Sequence, residues 1–168
     1  FVFFPKSPRY LTLRQAADLA ALIPENVIKV ALVVDPSNDL LADIMRHVHI
    51  DMIQLQGKES PQRVSEVKEL TGLPVMKAVG VSEPQDLSII DTYASVADQL
   101  LIDAKPPKGS ILPGGNGLAF DWKLISGKHW KVPWMLAGGL NAENVTEAIQ
   151  TTGTAQIDVS SGVEKAPG

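Results

Sequence analysis

Met135-Leu136-Ala137-Gly138-Gly139-Leu140-Asn141-Ala142-Glu143-Asn144-Val145 is the stretch from which the fold is read. A short apolar run (Trp134, Met135, Leu136) stops at paired glycines, and Glu143, Val145, Ala148 and Ile149 then fall at helical spacing. This pattern predicts a strand, a tight glycine turn and a helix N-terminus within about a dozen residues. Such a turn can aim free backbone N–H groups and the positive end of a helix dipole at an anion. Its glycines let a phosphate approach the backbone closely. A plain strand–helix connection with no ligand fits the same residues.

Outward from there the chain repeats one unit. Phe1–Phe4 reads as a strand ending at Pro5, and Thr12 caps a helix to about Ile23 with Leu13, Ala16, Ala17, Leu19, Ala20 and Leu22 inward. Val27–Val34 is a strand, Asp39 to about Val48 a helix, and Met52–Leu55 a short buried strand. Ser60 caps a helix with Pro61 in its first position, running to about Leu70. Pro74–Val79 is a strand stopped at Gly80, Glu83–Ala97 holds a helix, and Gln99–Ile102 is a strand. Phe120–Ile125 is a short helix and Ala155–Val159 the last strand.

Strand starts at a spacing of roughly 20 to 27 residues, with one longer interval, predict parallel βα units in one α/β domain over 1–168. Seven strand-like runs fit either a (β/α)₈ barrel or a doubly wound sheet. Two features favour the barrel. No G-x-G-x-x-G fingerprint opens any unit, and the chemically useful residues follow strand C-termini all along the chain. The longer interval, Ala104 to Ala119, contains KPPKGSILPGGNG and reads as an active-site lid, with a plain disordered loop as the alternative.

With 168 residues, 45% of them hydrophobic and 20% charged, the chain has the composition of a globular domain with a substantial core. A net charge of −4 argues against nucleic acid or an anionic membrane as the main partner. No apolar run approaches the roughly 20 residues that span a bilayer. Cysteine is absent, which excludes disulfides and cysteine chemistry within these residues and is compatible with a reducing cytoplasm. Phe1–Phe4 resembles the middle of a buried strand with no start signal, and Lys165–Gly168 runs out in Pro and Gly. Missing residues are expected at both ends.

The last strand ends in Asp158-Val159-Ser160-Ser161-Gly162. With Gly138 and Gly139 it supplies turns after two successive C-terminal strands, where (β/α)₈ enzymes often bind phosphate. Asp103 ends an apolar strand. Burial there would raise its pKa and suit a general acid or base, whereas a loop-capping aspartate is the bland alternative. Arg9, in a loop stiffened by Pro5 and Pro8, can hold a carboxylate or phosphate by its planar fork, or be an ordinary surface arginine. Lys105 could steer an anion or simply be solvated. His47, His49 and His129 lack metal-ligand spacing, and no P-loop, zinc signature or Ser–His–Asp order is present.

Six stretches taken together resemble phosphoribosylanthranilate isomerase over nearly the whole chain. They are Phe1-Val2-Phe3-Phe4-Pro5-Lys6-Ser7-Pro8-Arg9-Tyr10, Ile53-Gln54-Leu55-Gln56-Gly57, Leu101-Ile102-Asp103, Phe120-Asp121-Trp122, Ala137 to Asn144, and Asp158-Val159-Ser160-Ser161-Gly162-Val163-Glu164. The resemblance implies a (β/α)₈ TIM barrel of the tryptophan pathway that needs no cofactor. It would convert N-(5′-phosphoribosyl)anthranilate to the 1-deoxyribulose phosphate product by an Amadori rearrangement. By the same resemblance Asp103 is the general acid that opens the furanose ring to a Schiff base, and Arg9 lies near the anthranilate carboxylate. Gly138, Gly139, Asn141, Ser160, Ser161 and Gly162 form the phosphate turns, and Asp158 is an active-site carboxylate. The partner is thus a small phosphoribosyl substrate, and the enzyme is expected to be a monomer or a homodimer.

Two departures stand out. The family's base is a cysteine in a Lys-x-Cys-Gly motif upstream of a segment like Phe1–Tyr10, so the first βα unit and most of the last helix are expected to lie outside this sequence. The family's usual histidine is replaced by Gln56, which can also hydrogen-bond, so tuning rather than loss is expected. The rival enzyme reading is an indole-glycerol-phosphate synthase relative, which would need a lysine-rich set at strand ends; Lys77 and Lys105 are the only candidates. The rival of another class is a non-catalytic phosphate-binding barrel.

Overall fold

Hydroxyl caps set where the first three helices begin. Thr12 accepts from the Gln15 amide while the Gln15 side chain accepts from the Thr12 amide, opening α1 (Leu13–Ala20). Ser37 caps α2 (Asn38–His47) by accepting from the Leu40 amide. Ser60 caps α3 (Pro61–Thr71), whose first position is Pro61 and whose end is Gly72 at φ 66°. The remaining helices are α4 (Ser88–Ala94) and α5 (Val145–Thr152). These features belong to a computed structural model that describes residues 1–107, 109–110, 112–114 and 117–166.

Five strands, β1 (Val30–Val33), β2 (Met52–Leu55), β3 (Val75–Val81), β4 (Gln99–Ala104) and β5 (Trp134–Leu136), pair in parallel in chain order. Val33 sits beside Leu55, Leu55 beside Lys77, Gly80 beside Asp103 and Ile102 beside Leu136. The expected first and last strands flank this sheet as single bridges. Val2 pairs with Leu32, and Ile157 pairs with Leu136. Seven strand segments therefore lie side by side without a reversal of order, and a doubly wound sheet requires one.

Alternation along the strands separates two apolar layers. Ala31, Val33, Ile53, Leu55, Val75, Val79, Leu100, Ile102 and Leu136 point into one cluster with Leu41, Ile44, Val64, Val67, Ile90 and Ala148 of the helices. Met76, Ala78, Leu101 and Ala137, with Met52 and Met135, form a second cluster made of strand residues and the residue following β5. Helices on one face and strand side chains alone on the other are the layers of a (β/α)₈ barrel, not of a sheet wrapped on both sides.

Several expected boundaries shift. The first helix ends at Ala20, not Ile23, and Leu19 and Leu22 are exposed, because the chain tightens through a Leu22-to-Leu19 bond and leaves the core. Val27 and Ile28 are likewise exposed, so only Val30–Val33 of that run pairs. Gly80 does not stop β3; without a Cβ it lets the Lys105 backbone pack closely, and the strand continues to Val81. The helix expected over 83–97 divides into a 3₁₀ turn, Pro84–Leu87, followed by α4. Pro84 lacks an N–H, and the Asp86 carboxylate draws in the amides of Ser82 and Glu83. Phe120–Ile125 contributes only a 3₁₀ turn at Trp122–Ile125.

Candidate active site

Asp103 lies near the C-terminal end of β4 with the same inward parity as Leu101. It is 7% exposed. Its Oδ1 accepts from the Ala104 amide at 2.8 Å, and its Oδ2 accepts from Nε2 of Gln56 at 3.1 Å. Gln56 in turn accepts at Oε1 from Gln54 Nε2 at 2.8 Å, so two amide side chains in series orient the carboxyl. Burial pushes the Asp103 carboxyl up to about 6 and the neighbouring charge of Asp158 adds to the rise, against the lowering effect of its two hydrogen bonds.

Asp158 follows the last bridged segment, its amide donating to Leu136 O at 2.8 Å. Burial among the surrounding walls raises its carboxyl as well, although solvent reaches the residue from the open side.

Two recesses meet at these carboxylates. The first is lined by Asp103, Gly138, Gly139, Asp158, Ser160 and Ser161 among others. The second is lined by Phe4, Arg9, Gln56, Asp103, Gly114 and Asp158 among others. Asp103, Asp158 and Ser160 belong to both. Every expected site residue except Asn141 and Gly162 therefore lines one or both recesses.

The glycines of the turn after β5 are required by space as well as by angle. Gly138 has φ 91°, and a Cβ there would stand 2.7 Å from the Ala104 amide nitrogen. Gly139 has φ 62°, and its Cβ would stand 2.7 Å from the backbone carbon of Leu118. A Cβ on Gly162 would run into the Leu140 carbonyl, so Gly162 seals the turn at Ser160 against the turn after β5. Among the described residues, no group accepts from the amides of Gly138, Gly139, Ser160 or Ser161.

Asn141 departs from the simple picture of a free helix N-terminus. Its Oδ1 accepts from the amides of Glu143 and Asn144 at 2.8 and 3.1 Å. Asn144 Oδ1 in turn accepts from the Asn141 amide, and its Nδ2 donates to Gly139 O. Asn141 Oδ1 thus shapes the turn.

Arg9 is also engaged. Its Nε and Nη2 donate to the two carboxylate oxygens of Glu164 at 2.6 and 2.5 Å, leaving Nη1 on the outer edge of the fork. Glu164 and Gly114 are contributors that the sequence pattern did not single out. A Cβ on Gly114 would collide with the Gln56 amide and stand 2.8 Å from Asp103 Oδ2, so the loop after β4 lies directly over the Asp103 carboxyl. Of the expected lid, Lys108, Ile111, Gly115 and Asn116 lie outside the described residues.

Lys77 is turned away from the two carboxylates, and Lys105, which lines the first recess, has its ammonium engaged elsewhere. Lys77 shares the helix-facing side of β3 with Val75 and Val79. The Lys105 Nζ pairs with Asp86 at 2.5 Å. His47, His49 and His129 are exposed, and no cluster of three metal-ligating side chains occurs among the described residues. No helix among them is long and apolar enough to cross a membrane.

A family model described as N-(5′-phosphoribosyl)anthranilate (PRA) isomerase matches residues 1–168. The N-(5′-phosphoribosyl)anthranilate isomerase of Cereibacter sphaeroides (strain ATCC 17029) is 63% identical over 167 residues, 99% of this chain and 79% of that protein. Phosphoribosyl anthranilate isomerase from Thermotoga maritima has a similar solved structure, with TM-score 0.87 at 34% identity over 100% of this chain and 78% of that one. A phosphoribosyl anthranilate isomerase in complex with reduced 1-(o-carboxyphenylamino)-1-deoxyribulose 5-phosphate gives TM-score 0.82 at 32% identity, covering 100% and 77%.

Proposed function

The chain belongs to the N-(5′-phosphoribosyl)anthranilate isomerase family, and from that premise we propose which of its residues carry the reaction. The enzyme is an isomerase of tryptophan biosynthesis that converts N-(5′-phosphoribosyl)anthranilate to 1-(2-carboxyphenylamino)-1-deoxyribulose 5-phosphate on a (β/α)₈ barrel. The substrate carries a phosphate at one end, a carboxylate at the other and a furanose ring between them. Two recesses joined at Asp103 and Asp158 match that order.

In this reading the amides of Gly138, Gly139, Ser160 and Ser161 hold the phosphate, with Asn141 and Gly162 fixing the shape of the two turns. The outer edge of Arg9 receives the anthranilate carboxylate. Asp103, protonated, gives its proton to the ring oxygen; the C1–O bond breaks and the anilinic nitrogen supplies the electrons that form the Schiff base. Loss of the C2 proton then gives the enolamine, which tautomerises to the ketone. The family resemblance gives the C2 proton to a cysteine. Residues 1–168 contain none, so the step assigned to these residues is the acid half. Asp158 supports it by making the Asp103 proton harder to lose.

The setting of Asp103 carries this proposal: it is buried, raised to about 6 and shared by both recesses. A synthase relative is disfavoured because Lys77 faces the helix layer and Lys105 is paired with Asp86. One chain contributes every lining residue named, so the site suits a monomer or a homodimer equally. A cytoplasmic setting is proposed on the cysteine-free composition. In the full chain, Asp103→Asn should lower kcat by about 10²–10⁴-fold while leaving affinity for the reduced product analogue intact. Near-parental turnover would remove Asp103 from the acid role.

A further inference from the structure

Lys77 and Glu59 form an ion pair at 2.8 Å in which both side chains are almost fully enclosed, 2% and 1% exposed, and the proposed reaction uses neither. The pair lies between β3, the residue before the cap of α3, and Tyr93 of α4. Tyr93 donates its hydroxyl to Glu59 O at 2.9 Å and presents its ring 5.6 Å from Lys77 Nζ. An apolar pair of the same volume would commonly serve such a layer as well or better. What the charges hold is therefore the informative point.

Lys77 Nζ donates to Leu55 O at 3.2 Å and to Gly57 O at 2.8 Å. Glu59 Oε1 accepts from the Gly57 amide at 3.1 Å and from the Asp35 amide at 2.8 Å. The residue between Leu55 and Gly57 is Gln56, whose amide donates to Asp103. Asp35 is itself tightly set: it has φ 44°, its Oδ1 accepts from the Lys58 amide at 2.7 Å, and a Cβ on Gly57 would stand 2.6 Å from that oxygen.

We propose that Lys77 and Glu59 are positioning residues for the reaction: from the far side of the sheet they fix the backbone on both sides of Gln56, so that its amide meets Oδ2 of Asp103. The inference rests on the reading of Asp103 as the acid. Lys77 and Glu59 touch no substrate; they act through Gln56. The ionisable groups around the relay are Glu59 and Tyr93 beside Lys77, and Asp158 beside Asp103. Gln56 donation favours the carboxylate form of Asp103, so a slack Gln56 leaves the acid both misaligned and harder to ionise.

The test is Lys77→Met in the full chain, with kcat, KM and the pH profile measured beside Gln56→Leu and the double variant. The expected result is a fall in kcat on the order of ten- to a hundredfold at near-parental KM. The alkaline limb of kcat/KM should move to higher pH, and Lys77→Met should add nothing in the Gln56→Leu background. Should Lys77→Met fail to fold, Glu59→Gln takes its place, because its Oε1 still accepts from both amides while the second oxygen facing Nζ is lost. Parental kcat and pH limb in a folded variant, or effects that multiply with Gln56→Leu, overturn the inference. Asp103→Asn, measured alongside, separates the two readings. Retained turnover there sinks the acid assignment, whereas lost turnover with a parental Lys77→Met sinks only the positioning role.

Discussion

Glu164 grips Arg9 across 155 positions of sequence, meeting Nε and Nη2 with one carboxylate oxygen each. Both side chains are about one-fifth exposed, so the contact is partly screened and contributes about 1 kcal/mol to stability. Its larger effect is geometric, since a guanidinium held along one edge presents the other in a fixed plane.

Glu164→Ala should therefore raise KM about tenfold with kcat within a factor of a few, because binding of the substrate carboxylate loses its prepared partner. Arg9→Lys should not restore it, since a lysine cannot be gripped on one edge and donate from the other. Steady-state kinetics on both variants checks this. An unchanged KM for Glu164→Ala would show that Arg9 needs no such support.

The raised carboxyl of Asp103 makes a stability prediction with a definite sign. A folded-state pKa of about 6 against the usual 3.8 means that the group costs nothing while protonated in both states, below about pH 4. The cost grows between pH 4 and 6 and is then constant, at up to ~3 kcal/mol. Asp103→Asn should thus raise the melting temperature at pH 7 and lose that advantage as the pH falls below 4. Thermal unfolding of both proteins from pH 3.5 to 8 would reveal it, and a pH-independent difference would contradict the burial argument.

Activity should follow the same group in the same direction, falling as the carboxyl ionises. As the acid must be protonated, kcat/KM should fall as the pH rises through about 6 on the limb belonging to Asp103. In Asp158→Asn that limb should move to lower pH, because a negative neighbour that holds the proton in place has gone.

Gly138→Ala and Gly72→Ala form a matched pair, both at positive φ. At Gly72 a Cβ meets nothing within 4 Å, so only the backbone penalty of about 1–2 kcal/mol applies. At Gly138 the same methyl meets the Ala104 amide and approaches Asp103 Oδ1 to 3.2 Å, adding a further ~1–3 kcal/mol. Urea unfolding should rank them in that order, and only Gly138→Ala should impair both phosphate affinity and turnover.

The strand rhythm, the caps at Thr12 and Ser60 and the glycine turn after β5 were legible in the residues, because each is a local signal with its own period or turn chemistry. Met52–Leu55 matched to the residue, since turn signals bracket it closely on both sides. The misplaced ends, Leu22 and Ile28, are apolar residues whose exposure depends on where the chain leaves the barrel, which no local pattern encodes. Asp103 and the turns at Gly138 and Ser160 follow strand ends and were readable in position, and all of them line the recesses. Glu164 and Gly114 were not, because their partners lie 155 positions away in one case and across the pocket mouth in the other. Asn141 was read as part of the turn, and the bonds of its Oδ1 to two backbone amides depend on the folded turn rather than on the local pattern.

Each strand lies beside the strand made immediately before it, so a growing chain can add its units one by one from the N-terminal side. The paired recesses around Asp103 and Asp158 do not mature in that way. Asp103 arrives with β4, the turn at Gly138 and Gly139 only after β5, and Arg9 is braced only once Glu164 has been synthesised. During translation the five paired strands therefore exist before the two recesses around Asp103 and Asp158 are fully lined.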